Sequence, residues 1–298
     1  MPVKGRVAIV TGAGAGLGRA YALHLAGLGW RIVVNNRRRL VDDQGRGSAQ
    51  QLAAQIVAAG GEAIASEDDV GNRESGERLV GQALESWGRL DALIANAGID
   101  QHRAFHKIEV NEFLEVLQTN FHGSLFVTHA AYRQMRSAGH GRIVLSASSA
   151  GLHGLHGLSA YASAKAALLG LMRTLAAEGA SRDVLCNAIA PYAATPMTVA
   201  HNDSAVLARM HADAVAPLVA ALVDPESSIN GQAIVVGGGR FRRAAAVESP
   251  RMGRLVAGDG LLPSLSTELA HQAASGAGVE FPDALAAFHN FAAAQNED

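Results

Sequence analysis

The chain has 298 residues, of which 49% are hydrophobic and 17% charged, a length that can bury one large core. Its net charge of −2 gives no basic field, so we expect no binding to nucleic acid or to a membrane surface. The single cysteine, Cys186, cannot form an internal disulfide, and the apolar run over 214–223 is too short to span a bilayer. Because no long apolar stretch precedes the first glycines, we expect no signal peptide and a cytoplasmic location.

Short apolar runs alternate with alanine-rich helical stretches, such as 48–61, along most of the chain. Seven runs are typical of buried strands, at 6–10, 31–35, 62–66, 91–95, 142–146, 184–190 and 232–236. Strands this apolar need cover on both faces, which crossover helices provide. We therefore predict one doubly wound α/β domain, a three-layer Rossmann domain with a mostly parallel, seven-stranded sheet, over residues 1–240. Residues 241–298 are predicted to be a C-terminal extension of short helices, packed on the domain or on a partner subunit.

A glycine-rich segment joins the first predicted strand to a helix. It carries Gly12, Gly14, Gly16 and Gly18. Glycines let the backbone turn sharply and approach a pyrophosphate, whose charge a helix N-terminus stabilises. Glycines alone would also suit an ordinary tight turn, but their place between a first strand and a helix favours a dinucleotide site.

A tyrosine and a lysine lie four residues apart in a segment with helical periodicity, 159–179. Residues i and i+4 share one face of a helix, so Tyr161 and Lys165 are predicted to point into one site. A phenol has a pKa of about 10, and a neighbouring ammonium would lower it towards the range useful for proton transfer. Taken singly, such a tyrosine is usually a packing residue, and a serine such as Ser148 is usually a turn former.

Together and in this order, these motifs resemble the short-chain dehydrogenase/reductase family over about residues 5–240. The resemblance implies an NAD(P)-dependent oxidoreductase that interconverts a secondary alcohol and a ketone by hydride transfer. Tyr161 would be the general acid/base, and Lys165 would hold the nicotinamide ribose. Ser148 would bond the substrate oxygen, and Asn120 would hold a water linking Lys165 to solvent.

The resemblance also implies further contacts along the chain. The cofactor contacts are Thr11, Gly12, Ala15, Gly16, Leu17, Gly18, Asn36, Arg37, Asp69, Val70, Asn96, Ala97, Gly98, Tyr161, Lys165, Pro191, Ala194 and Thr195. The substrate contacts are Ser148, His153, Tyr161 and Tyr192. His153 and His156 could form a metal pair, but no nearby cysteine or carboxylate completes a ligand set, so we predict no metal site.

The residues after the second predicted strand bear on the choice of dinucleotide. An acid at this point favours the ribose 2′-hydroxyl, and a cation accommodates a 2′-phosphate. Asn36 is uncharged, and Arg37, Arg38 and Arg39 follow it. An arginine can pair with a phosphate through two hydrogen bonds, although a charge run can also be only a solvated loop. This pattern slightly favours NADP(H) over NAD(H).

Within the family, stretches such as "RIVVNN" and "HGRIVLSASSAGLHG" look like the (3R)-hydroxyacyl-CoA dehydrogenase unit of peroxisomal-type multifunctional enzymes. Asn36 replaces the aspartate usual there, and Tyr192 replaces a glycine common in the wider family. The expected substrate lid, Met197 to Val215, has no dense basic cluster for a CoA 3′-phosphate. An NADPH-dependent carbonyl reductase of secondary metabolism and a non-catalytic nucleotide-binding scaffold or regulator therefore remain alternatives. The resemblance also implies a homodimer or homotetramer, paired through the helices that begin near Val110 and Ala160.

Overall fold

The computed structural model describes residues 5–37, 41–194, 209–250 and 261–293. All seven predicted strands form, each within one residue of its predicted limits. They are β1 (Val7–Thr11), β2 (Arg31–Asn35), β3 (Glu62–Ser66), β4 (Ala92–Ala95), β5 (Gly141–Ser146), β6 (Val184–Pro191) and β7 (Ala233–Gly237). An eighth strand, β8 (Arg240–Ala244), follows them, so the predicted number of seven strands is wrong.

The strands form one sheet in the order β3-β2-β1-β4-β5-β6-β7-β8. Every pairing from β3 across to β7 is parallel. Only Gly238 and Gly239 separate β8 from β7, and both have positive φ, at 55° and 72°. A two-residue connection can join only antiparallel strands, and two positive φ values are typical of a tight hairpin turn. The sheet is therefore mostly parallel, as predicted, with a hairpin at one edge.

Helices cover both faces of the sheet and give the predicted three-layer α/β fold. They are α1 (Gly16–Gly27), α2 (Ser48–Ala58), α3 (Ser75–Trp87), α4 (Val110–Leu117), α5 (Gly123–Ala138), α6 (Ser149–His153), α7 (Ser159–Gly179), α8 (Ala216–Val223), α9 (Leu261–Ser275) and α10 (Ala284–Ala293). On one face, Leu25 of α1, Ile56 of α2 and Leu222 of α8 share a buried apolar cluster. Helices α3, α5 and α7 pack on the other face. Among the described residues, no helix has both the length and the apolar composition needed to cross a membrane.

The chain divides into two compact units, Met1–Arg243 and Ala244–Asp298. The second unit contains α9 and α10, together with an antiparallel bridge in which Glu248 and Val279 exchange backbone hydrogen bonds of 2.9 and 2.7 Å. Helices are present here, as predicted for the C-terminal extension. Its packing on the first unit or on a partner subunit stays a prediction.

Candidate active site

Strands β1 to β6 end at one edge of the sheet, where a cleft opens. The strand order reverses between β1 and β4, and ligands of open α/β sheets bind at such a switch point. The cleft has a volume of about 510 Å³. The predicted site residues that line it are Gly12, Ala15, Gly16, Leu17, Asn36, Arg37, Asp69, Val70, Asn96, Ala97, Gly98, Tyr161, Lys165 and Pro191.

Other predicted site residues do not line this cleft. They are Thr11, Gly18, Asn120, Ser148, His153, Tyr192 and Ala194. Two of them are solvent-exposed: His153 ends α6, and the Tyr192 side chain is 47% exposed. Thr195, Arg38, Arg39 and most of the expected lid lie outside the described residues. The cleft also contains residues that the sequence motifs do not indicate, namely Asn35, Asp68, Ile99, Asp100, Thr119, Ser146 and Ala147.

The glycine loop packs its backbone too closely to admit side chains. Gly12 and Gly16 have positive φ values of 64° and 54°. A Cβ on Gly12 would lie 2.7 Å from Ala97 Cα, and one on Gly18 would lie 2.3 Å from the Gly12 carbonyl oxygen. Bare backbone and the N-terminus of α1 therefore line this part of the cleft, which suits a pyrophosphate.

Thr11 holds the segment that follows β4. Its Oγ1 accepts hydrogen bonds from the backbone N–H groups of Asn96, at 3.0 Å, and Ala97, at 3.1 Å. Asn96 Nδ2 donates in return to the Thr11 carbonyl oxygen at 3.2 Å. Thr11 thus orders residues that line the cleft, although it does not line the cleft itself.

Tyr161 and Lys165 lie one turn apart on α7, as predicted. The Lys165 Nζ atom is 5.6 Å from the centre of the Tyr161 ring and donates a hydrogen bond of 2.6 Å to the Ser146 carbonyl oxygen. Lys165 is only 3% exposed, and burial lowers its pKa to about 8. Its ammonium is therefore mostly protonated at neutral pH.

Ser148 connects the end of β5 to Tyr161. Its Oγ accepts a hydrogen bond of 3.2 Å from the Ala150 backbone N–H and so caps α6. Its side chain is also hydrogen-bonded to Tyr161. The two hydroxyl groups that the motifs single out are thus adjacent.

Asn120 lies in a π-helical turn, Gln118–His122, between α4 and α5. Turns of this kind occur frequently at functional sites. The side chain is fully buried; its Oδ1 accepts from the Ile99 N–H and its Nδ2 donates to the Ile99 carbonyl oxygen, both at 2.7 Å. Asn120 therefore fixes the backbone between Gly98 and Asp100, which lines the cleft. Its predicted role in holding a water stays a prediction.

The opposite end of the cleft is formed by the residues after β2 and β3. Arg37 Nη1 lies 3.3 Å from Asp69 Oδ2, an ion pair between two cleft residues. Asn36 Nδ2 donates to Ser48 Oγ at 2.7 Å and is 3.3 Å from the Arg37 carbonyl oxygen.

Comparison with known proteins identifies the family. A family model described as short chain dehydrogenase matches residues 6–205. The chain belongs to the short-chain dehydrogenase/reductase family. It is 40% identical over 245 residues to a short-chain type dehydrogenase/reductase of Mycobacterium tuberculosis, which covers 82% of this chain and 86% of that protein. This confirms the family predicted from the motifs and shows an oxidoreductase that acts on CH–OH donors with NAD(P).

Two multifunctional enzymes are similar to this short-chain dehydrogenase/reductase. Peroxisomal multifunctional enzyme A of Dictyostelium discoideum is 39% identical over 251 residues, which cover 82% of this chain and 56% of that protein. The structure of full-length peroxisomal multifunctional enzyme type 2 from Drosophila melanogaster matches with a TM-score of 0.81 and 28% identity, over 100% of this chain and 50% of that one. The chain thus spans about half the length of these relatives. The predicted relation to the dehydrogenase unit of peroxisomal-type enzymes is confirmed.

The cleft of this family member fits an NAD(P) dinucleotide. Gly12 and Gly18 are positions where a Cβ would collide with backbone, which leaves bare peptide for the phosphates. Lys165 Nζ uses one of its three protons on Ser146, so two remain for a ribose. Within the described ranges, no three His, Cys, Asp or Glu side chains come together as a metal site requires.

The pKa of Tyr161 differs from the expectation drawn from its spacing to Lys165. Burial raises the pKa, the hydrogen bond with Ser148 opposes that rise, and the nearby Asp100 carboxylate raises the pKa further. The net shift is upward, because removal from water disfavours the phenolate more than the hydrogen bond favours it. The expected lowering of the Tyr161 pKa is therefore not found, because burial outweighs any stabilisation of the phenolate by Lys165, and Tyr161 carries its proton at neutral pH.

Proposed function

We propose that this enzyme interconverts a secondary alcohol and a ketone in the cleft, with Tyr161 as the general acid/base. The observation that carries the proposal is the convergence of Tyr161, Lys165 and the glycine loop on one cleft, with Ser148 hydrogen-bonded to Tyr161. When bound, the dinucleotide supplies or accepts the hydride. The protein supplies the proton and the orientation.

Tyr161 would exchange a proton with the substrate oxygen. In reduction, its hydroxyl gives a proton to the carbonyl oxygen as that oxygen gains negative charge; in oxidation, its phenolate takes the proton from the alcohol. The raised pKa keeps the proton on Tyr161 at neutral pH, which suits the acid role. Ser148 has one hydroxyl proton; when a substrate binds, that proton would turn from Tyr161 to the substrate oxygen and give it a second hydrogen bond.

Lys165 would act on both the ribose and the phenol. Its ammonium is fixed by Ser146 and lies beside the Tyr161 ring, so it would stabilise the phenolate whenever Tyr161 has lost its proton. Its remaining protons would bind the nicotinamide ribose. Asn120, next to Gly98, would hold the water that returns a proton from Lys165 to solvent.

For the substrate, we propose a 3-hydroxyacyl-CoA or a close analogue. The support is the sequence similarity to peroxisomal multifunctional enzymes. Tyr161 and Pro191, both expected to contact the nicotinamide, line the same cleft. A carbonyl reductase of secondary metabolism is the second candidate, because the sequence of the expected lid has no dense basic cluster for a CoA 3′-phosphate. The presence of Asn120, Ser148, Tyr161 and Lys165 opposes a non-catalytic scaffold.

For the dinucleotide, we propose NAD(H), a revision of the slight preference for NADP(H) drawn from the sequence. That preference rested on the uncharged Asn36 and on Arg37, Arg38 and Arg39, of which only Asn36 and Arg37 belong to the described residues. Asp69 pairs with the Arg37 guanidinium, and Asp68 adds a second carboxylate to the same end of the cleft. Asp68 is itself paired with Arg78, so among the described residues each of these carboxylates has an arginine partner, and Arg37 is already engaged rather than free for a 2′-phosphate.

We also propose a homodimer or homotetramer in the cytoplasm. Three large apolar side chains on or beside α4 are exposed: Phe105 at 73%, Val110 at 72% and Leu114 at 52%. An apolar group of this kind is typical of a subunit interface. The balance of charge and the absence of a membrane-crossing helix among the described residues are compatible with this location.

The test of this function is a dehydrogenase assay with three alcohols: a (3R)-3-hydroxyacyl-CoA, the corresponding free hydroxy acid and a simple secondary alcohol. Each is supplied with NAD or NADP, and formation of the reduced nicotinamide is followed. We expect the highest kcat/KM with the acyl-CoA and NAD. Turnover of the simple alcohol alone would contradict the substrate proposal, and dinucleotide binding without turnover of any alcohol would support the scaffold.

A further inference from the structure

We propose that Ser48 is a positioning residue that selects NAD(H), because it fixes which end of the Asn36 amide faces the cleft. This inference rests on the proposed function of the cleft as a dinucleotide site. Ser48 is the first residue of α2, twelve positions beyond Asn36, and does not itself line the cleft.

The Asn36 side chain has a donor end and an acceptor end, and the two would have opposite effects on a 2′-phosphate. The Nδ2 atom lies 2.7 Å from Ser48 Oγ and 3.3 Å from the Arg37 carbonyl oxygen. A carbonyl oxygen can only accept, so the nitrogen must be the atom on this side. Among the described residues, none donates a hydrogen bond to Asn36 Oδ1. The acceptor end is therefore the one left for a ligand in the cleft.

An acceptor at this point discriminates between the two dinucleotides. A ribose 2′-hydroxyl can donate a hydrogen bond to Asn36 Oδ1, whereas the oxygens of an ionised 2′-phosphate are themselves acceptors and repel it. With its orientation fixed, the neutral Asn36 acts as an aspartate would towards the ribose. The Arg37–Asp69 pair works in the same direction, because Asp69 already occupies the guanidinium.

Gly14 makes room for this arrangement. A Cβ on Gly14 would lie 2.3 Å from Ser48 Oγ and 2.6 Å from Asn36 Nδ2. A side chain there would separate the two partners. The absence of a side chain at Gly14 therefore allows the Asn36–Ser48 hydrogen bond to form.

The test is calorimetric titration with NADH and NADPH of four proteins: the unchanged chain, Ser48→Ala, Asn36→Asp and the double variant. We expect the unchanged chain to prefer NADH by tenfold or more. Ser48→Ala frees the amide to turn, so the preference should fall by about five- to tenfold, the usual weight of one hydrogen bond. A carboxylate is an acceptor at both ends, so in the Asn36→Asp background Ser48→Ala should leave the preference unchanged.

Comparing Ser48→Ala in the unchanged chain and in the Asn36→Asp chain separates a positioning role from a structural one. A weakened α2 would reduce dinucleotide affinity equally in both chains. Gln51→Ala is the matched control. The Gln51 side chain, in the first turn of α2, donates to the carbonyl oxygen of Arg46 just before the helix, and its loss should not alter the preference. An unchanged preference in Ser48→Ala, or equal effects in both backgrounds, would overturn the inference alone. Failure of the unchanged chain to bind either dinucleotide would instead overturn the proposed function.

Discussion

The buried ammonium of Lys165 predicts a pH-dependent stability that one substitution removes. Burial lowers its pKa from 10.5 to about 8. The folded protein therefore binds fewer protons than the unfolded chain between pH 8 and 10.5, and stability rises with pH across that window and is lost as pH falls. At about 1.4 kcal/mol per unit, the protonated lysine costs about 3 kcal/mol at neutral pH. Between pH 7 and pH 9.5, the unchanged protein should gain about 2 kcal/mol relative to Lys165→Met.

Urea unfolding followed by tryptophan fluorescence measures this gain, since Trp30 is buried. The raised pKa values of Tyr21 and Cys186 are common to both proteins and cancel in the comparison. Lys107→Met is the matched control, because Lys107 is exposed and its loss should leave the pH dependence unchanged. If the free energies of unfolding of Lys165→Met and the unchanged chain changed in parallel with pH, the buried ammonium would not have the predicted cost.

Two further predictions concern the cleft. Gly18→Ala should weaken dinucleotide binding at least about tenfold, because its Cβ would lie 2.3 Å from the Gly12 carbonyl oxygen; calorimetry with NADH measures this. Gly27→Ala, at the far end of α1 with nothing within 4 Å, should retain binding and gain about 0.5–1 kcal/mol in stability. Asp100→Asn should move the rise of the oxidation rate with pH to lower pH, because its charge no longer raises the pKa of Tyr161; initial rates across pH measure this.

Each of these predictions has a result that contradicts it. Equal NADH affinity in Gly18→Ala and Gly27→Ala would mean that the loop does not need bare backbone. A pH profile of Asp100→Asn that coincides with that of the exposed control Glu85→Gln would remove Asp100 from the electrostatics of the site.

The sequence was sufficient to predict the parallel part of the sheet. Strands such as β1 and β4 are buried at every residue, so they appear as continuous apolar runs. Strand β8 gives no such signal, because Arg240, Phe241 and Arg242 are exposed on an edge strand, where side chains need not be apolar. The neighbouring Gly238–Gly239 pair was the one indication of a hairpin.

For the site, local spacing predicted that Tyr161 and Lys165 face one cleft, since four residues make one helical turn. Spacing could not give the direction in which the pKa of Tyr161 shifts, because the burial that raises it depends on the whole fold. The contact between Ser48 and Asn36 could not be predicted either. The two residues are twelve positions apart, and no local sequence pattern indicates that their side chains meet. Asp100 directly follows the cleft residues 96–99, but an isolated carboxylate carries no motif.

The measurement that tests the central claim most directly is turnover and NADH affinity of Tyr161→Phe, which removes only the hydroxyl. We predict a loss of about 10²- to 10⁴-fold in kcat, the usual contribution of a general acid/base, with the Kd for NADH within about twofold of that of the unchanged enzyme. Turnover that survives the substitution would contradict the assignment of Tyr161 as the proton donor and acceptor.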